Sequence, residues 1–445
     1  MAKDLFGTDG IRGVAGAYPL DPATVYAIGM ALGHDAARHG SQPEIVIGMD
    51  TRESGPSLAG QLAGGLGSAG VRTRFAGVIT TPGVAWLTRT GPFVAGVMIS
   101  ASHNPYQDNG IKVFGHSGFK LPDEEEHEIE KEIFRLTAGG LSPAASALTE
   151  DPALDRQYLE NLATTTNVSF AGVQMVIDCG NGAAYRLAPE LFRRLGAEVH
   201  TICSEPNGRN INDGCGALHL EPLQNAVRER GADFGVAFDG DADRAIFVAR
   251  SGKLVDGDAV LLIAGRELKR SGCLPGNLVI ATVMSNLGLE KALEREGIRL
   301  ARTPVGDKYV LEEMVRSGSV LGGEQSGHVI FRQYATTGDG ILTALRIFEI
   351  VVKSGKGLDE LTADLEVYPQ RLQNVRVSRK RPLDELPNVV REIRDCEQHF
   401  GGAGRVLVRF SGTEPLARVM VEGPNLAQVE HFTSRIAGAI EKELS

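Results

Sequence analysis

The chain has 445 residues, which is too long for one ordinary hydrophobic core and predicts about three domains. Hydrophobic residues make up 42% and charged residues 23%, as in water-soluble globular proteins, and no apolar run approaches the length of a membrane span. The net charge is −10 and the basic run Arg379–Arg381 is short, which argues against a nucleic-acid partner. An anionic substrate would therefore need positive groups concentrated at its site.

The five cysteines are dispersed and never form a Cys-x-x-Cys pair: Cys179, Cys203, Cys215, Cys273 and Cys396. This pattern predicts reduced thiols, and neither a disulfide framework nor a zinc site. The first residues lack the apolar core of a signal peptide. We therefore expect a cytoplasmic protein with no membrane partner.

The first part of the chain is predicted to alternate helices and strands. Asp21 is a candidate helix N-cap, with Pro22 in the first turn and Gly40 beyond the end. The acidic run Glu124–Glu132 suits the early turns of another helix, where the dipole favours negative charge. Thr137–Pro152 is rich in small residues, which is typical of a linker. Apolar runs predict three strands: Glu44–Met49, Val71–Ala76 and Phe93–Ile99.

A second alternating block begins near Asp155 and a third near Lys253. Their apolar runs predict five strands: Val173–Asp178, Glu198–Ile202, Phe234–Phe238, Leu278–Thr282 and Ile298–Thr303. The third block ends in a helix that runs from Gly340 to about Ser354. The tail after Pro369 predicts an α+β module with these elements: helix Leu383–His399, strands Arg405–Phe410 and Leu416–Val421, and helix Asn425–Leu444.

These patterns predict an α/β fold with three successive mixed α/β domains and a smaller C-terminal α+β domain. The predicted domains cover residues 1–152, 153–252, 253–367 and 368–445.

Three aspartates follow the apolar run Phe234–Phe238 at every second position: Asp239, Asp241 and Asp243. Carboxylates so close repel one another unless a cation lies between them, and hard oxygen ligands suit Mg²⁺. An EF-hand is excluded, because Arg244 and Arg250 stand where that loop needs Gly and Glu. A solvated acidic turn is the simpler alternative, and the regular spacing favours a site for one Mg²⁺ ion.

Ser102 lies in a turn of small residues that follows the predicted strand Phe93–Ile99. Ligands of open α/β sheets bind at such carboxyl ends of strands. An acyl-enzyme serine is disfavoured, because no Gly-x-Ser-x-Gly elbow is present and the adjacent His103 is expected to point elsewhere. A serine that carries phosphate fits better, since a phosphoserine oxygen can complete the coordination of the ion. An ordinary turn without function is the alternative.

Further candidate side chains lie in short Gly-containing segments: Arg12, Lys112, Glu324, Ser326 and His328. Arg12 closes the Gly-punctuated loop Phe6–Gly13, and a hairpin can return Lys112 towards Ser102. The segment around Glu324 combines an acceptor, a hydroxyl and an imidazole, which suits sugar hydroxyls. Each also has a structural interpretation, because Arg12 can pair with an Asp, Lys112 can be solvated, and a single histidine is more often a core or surface residue.

The tail carries a candidate phosphate grip that follows the strand Arg405–Phe410. Its members are Arg409, Ser411, Gly412, Thr413 and Arg418. Guanidinium groups, hydroxyls and backbone N–H groups together hold a phosphate without reacting with it. A β-hairpin turn is the alternative.

Taken in order, these segments resemble the α-D-phosphohexomutase superfamily over almost the whole chain. The segments GTDGIRG, ISASHNPYQDNGIK, DGDADR, GEQSGH and TTGDGI are similar to the branch that acts on glucosamine phosphates more than to the phosphoglucomutase/phosphomannomutase branch. One departure is Phe410, where the superfamily usually has Pro. The resemblance implies four domains around a central cleft, a phosphorylated serine and Mg²⁺.

The resemblance also implies roles for individual residues. Ser102 would carry the phosphate and bind the ion together with the three aspartates, and Arg244 would neutralise charge on the transferring group. Glu324 and Ser326 would bind sugar hydroxyls, and the tail group would hold the non-reacting phosphate. The implied reaction interconverts glucosamine 6-phosphate and glucosamine 1-phosphate through glucosamine 1,6-bisphosphate, towards UDP-N-acetylglucosamine. Lys112 and His328 are the candidate bases, with Arg12 assisting through its charge.

Three rival functions stay open. A phosphoglucomutase or phosphomannomutase would differ only in the sugar phosphate that fits. An aspartyl-nucleophile phosphatase would use the Asp239-x-Asp241 pair and have no role for Ser102, and a non-catalytic phosphosugar-binding protein would tolerate its loss. The full set of motifs favours the mutase. The oligomeric state stays open too, with a homodimer as one option.

Overall fold

The computed structural model describes residues 5–7, 9–39, 42–411 and 415–444. These residues form four β-sheets, and the chain divides into two compact units. The first unit spans residues 1–283 and 301–363, and the second spans residues 284–300 and 364–445. No helix in the described ranges is both long enough and apolar enough to span a lipid bilayer.

The first sheet has five strands in the spatial order β1-β5-β4-β2-β3. They are β1 (Ile11–Val14), β2 (Glu44–Met49), β3 (Arg72–Val78), β4 (Ala95–Ile99) and β5 (Asp108–Gly115). The helices of this part are α1 (Pro22–Ala36), α2 (Gly55–Ser68), α3 (Thr81–Thr90) and α4 (Asp123–Ala138). Strands β2, β3 and β4 are parallel, β5 is antiparallel to β4, and β1 is antiparallel to β5. A continuous core buries Ile28, Leu62 and Ile133 between helices and sheet.

The second sheet has the order β10-β9-β8-β6-β7. Its strands are β6 (Gln174–Asp178), β7 (Glu198–Ile202), β8 (Phe234–Phe238), β9 (Ala245–Ala249) and β10 (Leu254–Val255). The helices are α5 (Pro152–Thr164), α6 (Ala184–Arg194) and α7 (Glu221–Arg230). As in the first sheet, three parallel strands are followed by antiparallel ones. A strand such as β8, which is buried along its whole length, reads as a continuous apolar run.

The third sheet has the order β12-β11-β13-β14. Its strands are β11 (Leu278–Thr282), β12 (Arg299–Thr303), β13 (Leu321–Gly323) and β14 (Val329–Phe331). The accompanying helices are α8 (Gly257–Arg270), α9 (Leu287–Arg295), α10 (Asp307–Ser317), α11 (Gly340–Ser354) and the short α12 (Leu358–Leu361). β13 is parallel to β11 and antiparallel to β14, so the chain turns between β13 and β14 through residues 324–328.

The fourth sheet is antiparallel, with the order β15-β17-β16. Its elements are β15 (Gln370–Arg376), α13 (Pro387–Phe400), β16 (Arg405–Phe410), β17 (Leu416–Glu422) and α14 (Leu426–Leu444). A separate core includes Val389, Val419 and Ile436. This smaller α+β module confirms the predicted fold class of three mixed α/β parts and a C-terminal α+β part. The arrangement around a central cleft stays a prediction.

Several predicted elements are confirmed residue by residue: Glu44–Met49, Glu198–Ile202, Phe234–Phe238, Leu278–Thr282 and Arg405–Phe410. Asp21 is the N-cap of α1, since its side chain accepts the N–H groups of Ala23 and Thr24, whereas Gly40 lies outside the described residues. The interpretation of Phe6–Gly13 as a loop is wrong at its end, because Ile11 to Val14 pair with β5.

Candidate active site

Two loops of the first unit meet at Ser102. Ser102 follows β4, and the three aspartates occupy the turn between β8 and β9. The Ser102 Oγ donates to Asp239 Oδ2 at 2.6 Å. Ser102 and Ala242 both have left-handed backbone conformations, with φ of 53° and 55°. Non-glycine residues seldom adopt such φ values unless the surrounding structure imposes them, and they cluster at functional sites.

The Ser102 turn is held through its main chain. Arg52 Nη2 donates to the carbonyl oxygens of Ser102 at 3.1 Å and Asn104 at 2.6 Å. Asn212 Nδ2 donates to the same two oxygens, at 3.0 and 3.2 Å. The Ser102 N–H donates to Ser100 Oγ at 2.9 Å. The position of the hydroxyl is thus fixed by bonds that do not use the hydroxyl itself.

A buried ion pair lies next to this turn. Arg52 and Asp50 are both fully buried, and Nη1 of Arg52 donates to Asp50 Oδ2. Burial raises the pKa of Asp50, while the Arg52 charge and the Ser100 hydroxyl oppose that rise. Buried charges of this kind persist only when they are paired.

The three aspartates form a buried acidic cluster. Asp239 and Asp241 are fully buried and Asp243 is 6% exposed. One carboxylate oxygen from each lies within 4.8 Å of the other two. Burial raises the pKa of Asp239 well above its usual value, and the charges of Asp243 and Asp241 add to the rise. Bringing three carboxylates together in this way is unfavourable without a cation.

The donor set fits a hard cation. Oδ1 of Asp241 and Oδ1 of Asp243 are buried and have no hydrogen-bond partner among the described residues. Buried polar atoms are normally paired, so two such oxygens in one cluster indicate ligands for an ion. Carboxylate and hydroxyl oxygens are the ligands that Mg²⁺ prefers. Asp239, Asp241, Asp243 and Ser102 could hold such an ion.

Lys112 reaches the same cluster from the middle of β5. It is 1% exposed, and its Nζ lies 2.8 Å from Asp241, 3.0 Å from Asp9 and 3.4 Å from Asp243. Burial alone would lower its pKa, but the carboxylates of Asp241 and Asp9 outweigh burial and raise the pKa well above its usual value. The predicted hairpin is confirmed, since Lys112 pairs with Met98 of β4.

A cleft of about 420 Å³ opens beside the cluster within the first unit. Its charged and titratable lining residues are Asp9, Arg12, His103, Asp243, Arg244, Asp307, Glu324 and His328. The Nε atoms of Arg12 and Arg244 are buried and lack hydrogen-bond partners within the described chain. Buried guanidinium donors of this kind suit the oxygen atoms of a phosphate group.

His328 lies at the inner side of this cleft and is 3% exposed. Burial lowers the pKa of its ring, but the carboxylates of Asp243 and Asp307 outweigh burial and raise it to about 9. The Gly338 N–H donates to Nε2 at 3.0 Å, which requires an unprotonated Nε2. The neutral ring with its proton on Nδ1, which faces Asp243, satisfies this bond, so the Gly338 N–H opposes protonation of the ring.

Of the remaining predicted residues, only some lie at this cleft. Glu324 lines the cleft and accepts the Gly306 N–H at 3.1 Å, whereas Ser326 is exposed and is not part of the lining.

In the second unit, Arg409 of β16 lies directly opposite Arg418 of β17. Like charges in that position repel each other, which suits an anion between them. Burial lowers the pKa of Arg409, with Arg418 as a second cause.

Ser411 follows β16 and is 7% exposed, with its N–H bonded to the Leu416 carbonyl at 2.8 Å. Gly412 and Thr413, which complete the predicted phosphate grip, lie outside the described residues.

Sequence reasoning missed several contributors. The expectation that His103 points elsewhere is wrong, because its Nδ1 lies 3.3 Å from Ser102 Oγ. Burial, with the charges of Arg244 and Arg12, lowers the pKa of His103 to about 4. The buried pair Asp50 and Arg52 was also missed. The sequence does contain an indication of this pair, since both residues follow the carboxyl end of β2, at the edge where such sheets bind ligands.

Four family models match the chain in order. They are described as phosphoglucomutase/phosphomannomutase alpha/beta/alpha domain I (residues 3–139), domain II (156–252), domain III (256–368) and the C-terminal domain (372–439). A solved phosphoglucomutase/phosphomannomutase family protein from Burkholderia thailandensis is 25% identical, with a TM-score of 0.79, and the match covers 98% of this chain and 97% of that one. The fold and the site thus define a phosphohexomutase.

A relative with much higher sequence identity narrows the assignment. A phosphoglucosamine mutase from Solibacter usitatus is 70% identical over 444 residues, which cover 100% of both chains. An N-acetylphosphoglucosamine mutase from Aspergillus fumigatus, solved in complex with GlcNAc-6P and magnesium, shares the fold at 18% identity and a TM-score of 0.66, over 100% of this chain and 96% of that one. The chain belongs to the phosphoglucosamine mutase family, whose members are isomerases of the phosphohexomutase type.

Proposed function

We propose that the chain interconverts glucosamine 6-phosphate and glucosamine 1-phosphate by moving a phosphoryl group on and off Ser102. The observation that carries this proposal is the contact of 2.6 Å between the Ser102 hydroxyl and Asp239 of the acidic cluster. The names of the similar relatives support the choice of substrate.

In the first half of the reaction, the bond between phosphorus and Ser102 Oγ breaks. A new bond forms between phosphorus and the free hydroxyl oxygen of the bound sugar phosphate, and the hydroxyl proton passes to a base. The product is glucosamine 1,6-bisphosphate. After this intermediate turns end for end, its other phosphoryl group returns to Ser102. Catalysis then depends on alignment and on charge stabilisation around the moving group.

One Mg²⁺ ion is the proposed cofactor, held by Asp239, Asp241, Asp243 and an oxygen of phosphorylated Ser102. When bound, it supplies positive charge next to the transferring group. The magnesium in the fungal relative supports this choice, as do Oδ1 of Asp241 and Oδ1 of Asp243, which are buried and have no hydrogen-bond partner among the described residues. Arg12 and Arg244 provide further positive charge through their buried Nε donors.

The base stays a choice between Lys112 and His328, with Arg12 assisting. Both candidates contact carboxylates of the acidic cluster, so an ion bound there would lower the pKa of each. Glu324 is proposed to bind sugar hydroxyls from the lining of the cleft, with Ser326 in the same loop. Arg409, Ser411, Gly412, Thr413 and Arg418 are proposed to hold the non-reacting phosphate.

The four-domain division is part of the proposal, with domains at 1–152, 153–252, 253–367 and 368–445. The order and approximate extents of the four matched family domains support it.

The decisive experiment is Ser102→Ala. We expect mutase activity on glucosamine 6-phosphate to fall by roughly 10⁴-fold or more, as for loss of a covalent nucleophile. Peptide mass spectrometry of the wild type should place one phosphate on the peptide that contains Ser102. Ser354→Ala, which changes an exposed serine at the end of α11, should keep full activity.

Near-normal turnover of the Ser102→Ala enzyme would overturn the phosphoserine role. Net release of inorganic phosphate by that variant would favour the phosphatase alternative, in which Asp239 or Asp241 attacks. Relative kcat/KM values on the glucosamine, glucose and mannose 6-phosphates decide between the mutase branches.

A further inference from the structure

A second group of metal-ligand side chains lies outside the acidic cluster. Asp178 ends β6, Cys203 follows β7, and Cys215 lies in the long connection before α7. One ligand atom from each of the three side chains lies within 4.8 Å of the other two. No local pattern in the sequence indicates this group, because the two cysteines are not in a Cys-x-x-Cys pair and Asp178 is far from both along the chain.

The carboxylate of this group is buried without a compensating cation. Asp178 is fully buried, and its two oxygens accept the N–H groups of Gly180 at 2.8 Å and Gly216 at 2.9 Å. No lysine or arginine in the described parts of the chain forms an ion pair with it. Each carboxylate oxygen keeps a further lone pair, and buried carboxylates in proteins are usually paired with a cation or bound to a metal.

The two thiols supply soft ligands next to that carboxylate. Cys215 is 1% exposed, whereas Cys203 is only half-buried, so the group can be reached from solvent. Both cysteines are free, and Asn181 Nδ2 lies 3.8 Å from the sulfur of Cys215. Two sulfurs and one carboxylate oxygen form a set that zinc-class ions bind and that Mg²⁺ does not select.

We propose that Asp178, Cys203 and Cys215 form a binding site for a thiophilic divalent ion such as Zn²⁺, separate from the three aspartates. The two thiols lose their protons to solvent when the ion binds, and a water molecule on the exposed side of Cys203 completes four ligands. The site is independent of the proposed phosphoryl transfer, since none of its ligands takes part in that reaction.

Such an ion would stabilise the segment that supports Ser102. The Asn181 N–H donates to the Cys203 carbonyl at 2.7 Å, and the Asn212 N–H donates to the Gly180 carbonyl at 2.9 Å. Asn212 in turn donates to the Ser102 carbonyl at 3.0 Å. An ion that ties Cys203, Cys215 and Asp178 together therefore fixes both ends of the loop that carries Asn212. We assign the ion a structural role, with no part in the chemistry.

The test uses Co²⁺ as a spectroscopic probe on the full-length reduced protein, with excess Mg²⁺ present to occupy oxygen sites. We expect about one equivalent of Co²⁺ per chain to produce sulfur-to-cobalt charge-transfer absorption, and Zn²⁺ to displace it. Oxygen ligands alone do not give this absorption, so the signal separates the proposed site from the aspartates.

Variants assign the ligands. Cys203→Ser and Cys215→Ser should each lower the charge-transfer intensity at saturating Co²⁺ by about half and weaken Co²⁺ binding by more than the roughly 10–100-fold that loss of an outer hydrogen-bond partner causes. Cys273→Ser, which changes an exposed cysteine outside the group, should bind Co²⁺ as the wild type does. Asp239→Asn should also keep the signal, because the acidic cluster is a separate site.

One measurement needs no variant and therefore does not depend on their folding. Zn²⁺ should protect the half-buried Cys203 of the wild type from alkylation, while the exposed Cys273 continues to react. The proposal is overturned if Co²⁺ gives no thiolate absorption, if the Cys203→Ser spectrum equals that of the wild type, or if Zn²⁺ leaves the alkylation of Cys203 unchanged. Recovery of Cys203 and Cys215 as a disulfide that excludes metal under reducing conditions also overturns it.

Discussion

The buried side chain of Arg52 holds the turn that carries Ser102, the proposed site of phosphorylation, without contacting its hydroxyl. Its guanidinium group pairs with Asp50 through one nitrogen and donates to the carbonyl oxygens of Ser102 and Asn104 through another. These two sets of hydrogen bonds need the planar guanidinium group with its several N–H donors, and the single ammonium group of a lysine cannot form both. Arg52 is therefore a positioning residue in our account.

We predict that Arg52→Lys lowers kcat by about 10²-fold and changes KM little, because the Ser102 turn shifts while the cleft keeps its lining. Steady-state kinetics on glucosamine 6-phosphate measure kcat and KM separately. Arg72→Lys is the matched control, since Arg72 is largely exposed and pairs with Glu44 at the sheet edge. An unchanged kcat in the Arg52→Lys enzyme would show that the conformation of the Ser102 turn does not depend on the guanidinium group of Arg52.

Asp339 is a second residue whose environment makes a measurable prediction. It caps α11 by accepting the Leu342 N–H at 2.9 Å, and it accepts the Tyr158 hydroxyl at 2.8 Å. Burial outweighs these bonds and raises the pKa of the carboxyl group from 3.8 to about 6. Between those two values the folded protein holds a proton that the unfolded chain lacks. This contribution to stability therefore grows as pH falls from 7 and is lost as pH rises through the folded pKa.

Asp339→Asn resembles the protonated form and removes this pH dependence. We expect the free energy of unfolding of the wild type, relative to that of Asp339→Asn, to rise by roughly 1–3 kcal/mol between about pH 7.5 and pH 4. Denaturant titrations at several pH values measure the difference. The control Asp384→Asn changes an exposed carboxyl group and should show no such trend. If the free energy of unfolding of the wild type, relative to that of Asp339→Asn, decreases as pH is lowered, the assigned direction of the Asp339 pKa shift is wrong.

At the scale of elements, the site depends on close contact between two loops. A Cβ placed on Gly240 would lie 2.5 Å from the Ser102 carbonyl oxygen, and one on Gly182 would lie 2.4 Å from the Gly240 oxygen. Contacts under 3 Å with backbone atoms cannot be relieved by rotating a side chain. The acidic turn and the Ser102 turn therefore fit together only with glycine at these positions.

We predict that Gly240→Ala moves the acidic turn away from Ser102 and lowers kcat by about 10²-fold or more. Gly67→Ala is the control, because Gly67 is an exposed residue of α2 with nothing within 4 Å of its added Cβ. That change should keep activity and stabilise the protein by up to about 1 kcal/mol. Wild-type kinetics in the Gly240→Ala enzyme would show that the loop contact is not needed.

Most elements were predictable from the sequence because the strands of buried parallel sheets read as continuous apolar runs. β2, β8 and β11 have this pattern, and their predicted bounds are confirmed. The edge strand β1 was not recognised, since Ile11–Val14 is short, contains Gly13 and is ordered by its pairing with β5. Helix α13 begins at Pro387 and not at the predicted Leu383, because Pro387 opens the first turn and Leu383–Glu385 form a separate short turn of helix.

The candidate site was predictable where local spacing carries chemistry, and not where distant parts of the chain meet. The aspartates at every second position predicted an acidic cluster, and the structure shows one. The contacts of Arg52 with the Ser102 turn, and those of Asn212 with the same carbonyl oxygens, join residues that no local pattern connects. The same is true of Asp178, Cys203 and Cys215, whose ligand atoms lie within 4.8 Å of one another although the residues are far apart along the chain.

At the scale of the whole molecule, the second unit combines two distant parts of the chain. Asn286 exchanges hydrogen bonds of 3.0 Å with the backbone of Tyr368. Glu422 is fully buried, accepts the Leu287 N–H at 2.9 Å and pairs with Arg405 at 2.9 Å. Residues 284–300 therefore belong to the same compact unit as the C-terminal module.

We predict that Glu422→Gln lowers the free energy of unfolding of this unit by about 3 kcal/mol, because it removes the buried negative charge that pairs with Arg405. Hydrogen exchange measured by mass spectrometry should show faster exchange in residues 284–300 and in β17. Glu385→Gln removes an exposed partner of Arg381 and should change stability by less than about 1 kcal/mol. Unchanged exchange in residues 284–300 of Glu422→Gln would contradict this account.

The contact between Ser102 and Asp239 joins residues 137 positions apart, and that between Lys112 and Asp241 joins residues 129 apart. During synthesis the first sheet leaves the ribosome well before the second one is made, and domains generally fold in that order. A half-made chain thus carries its serine with no acidic partner beside it. Because the proposed phosphoryl transfer needs both loops, a product truncated before β8 would lack the three aspartates and would be inactive in that reaction.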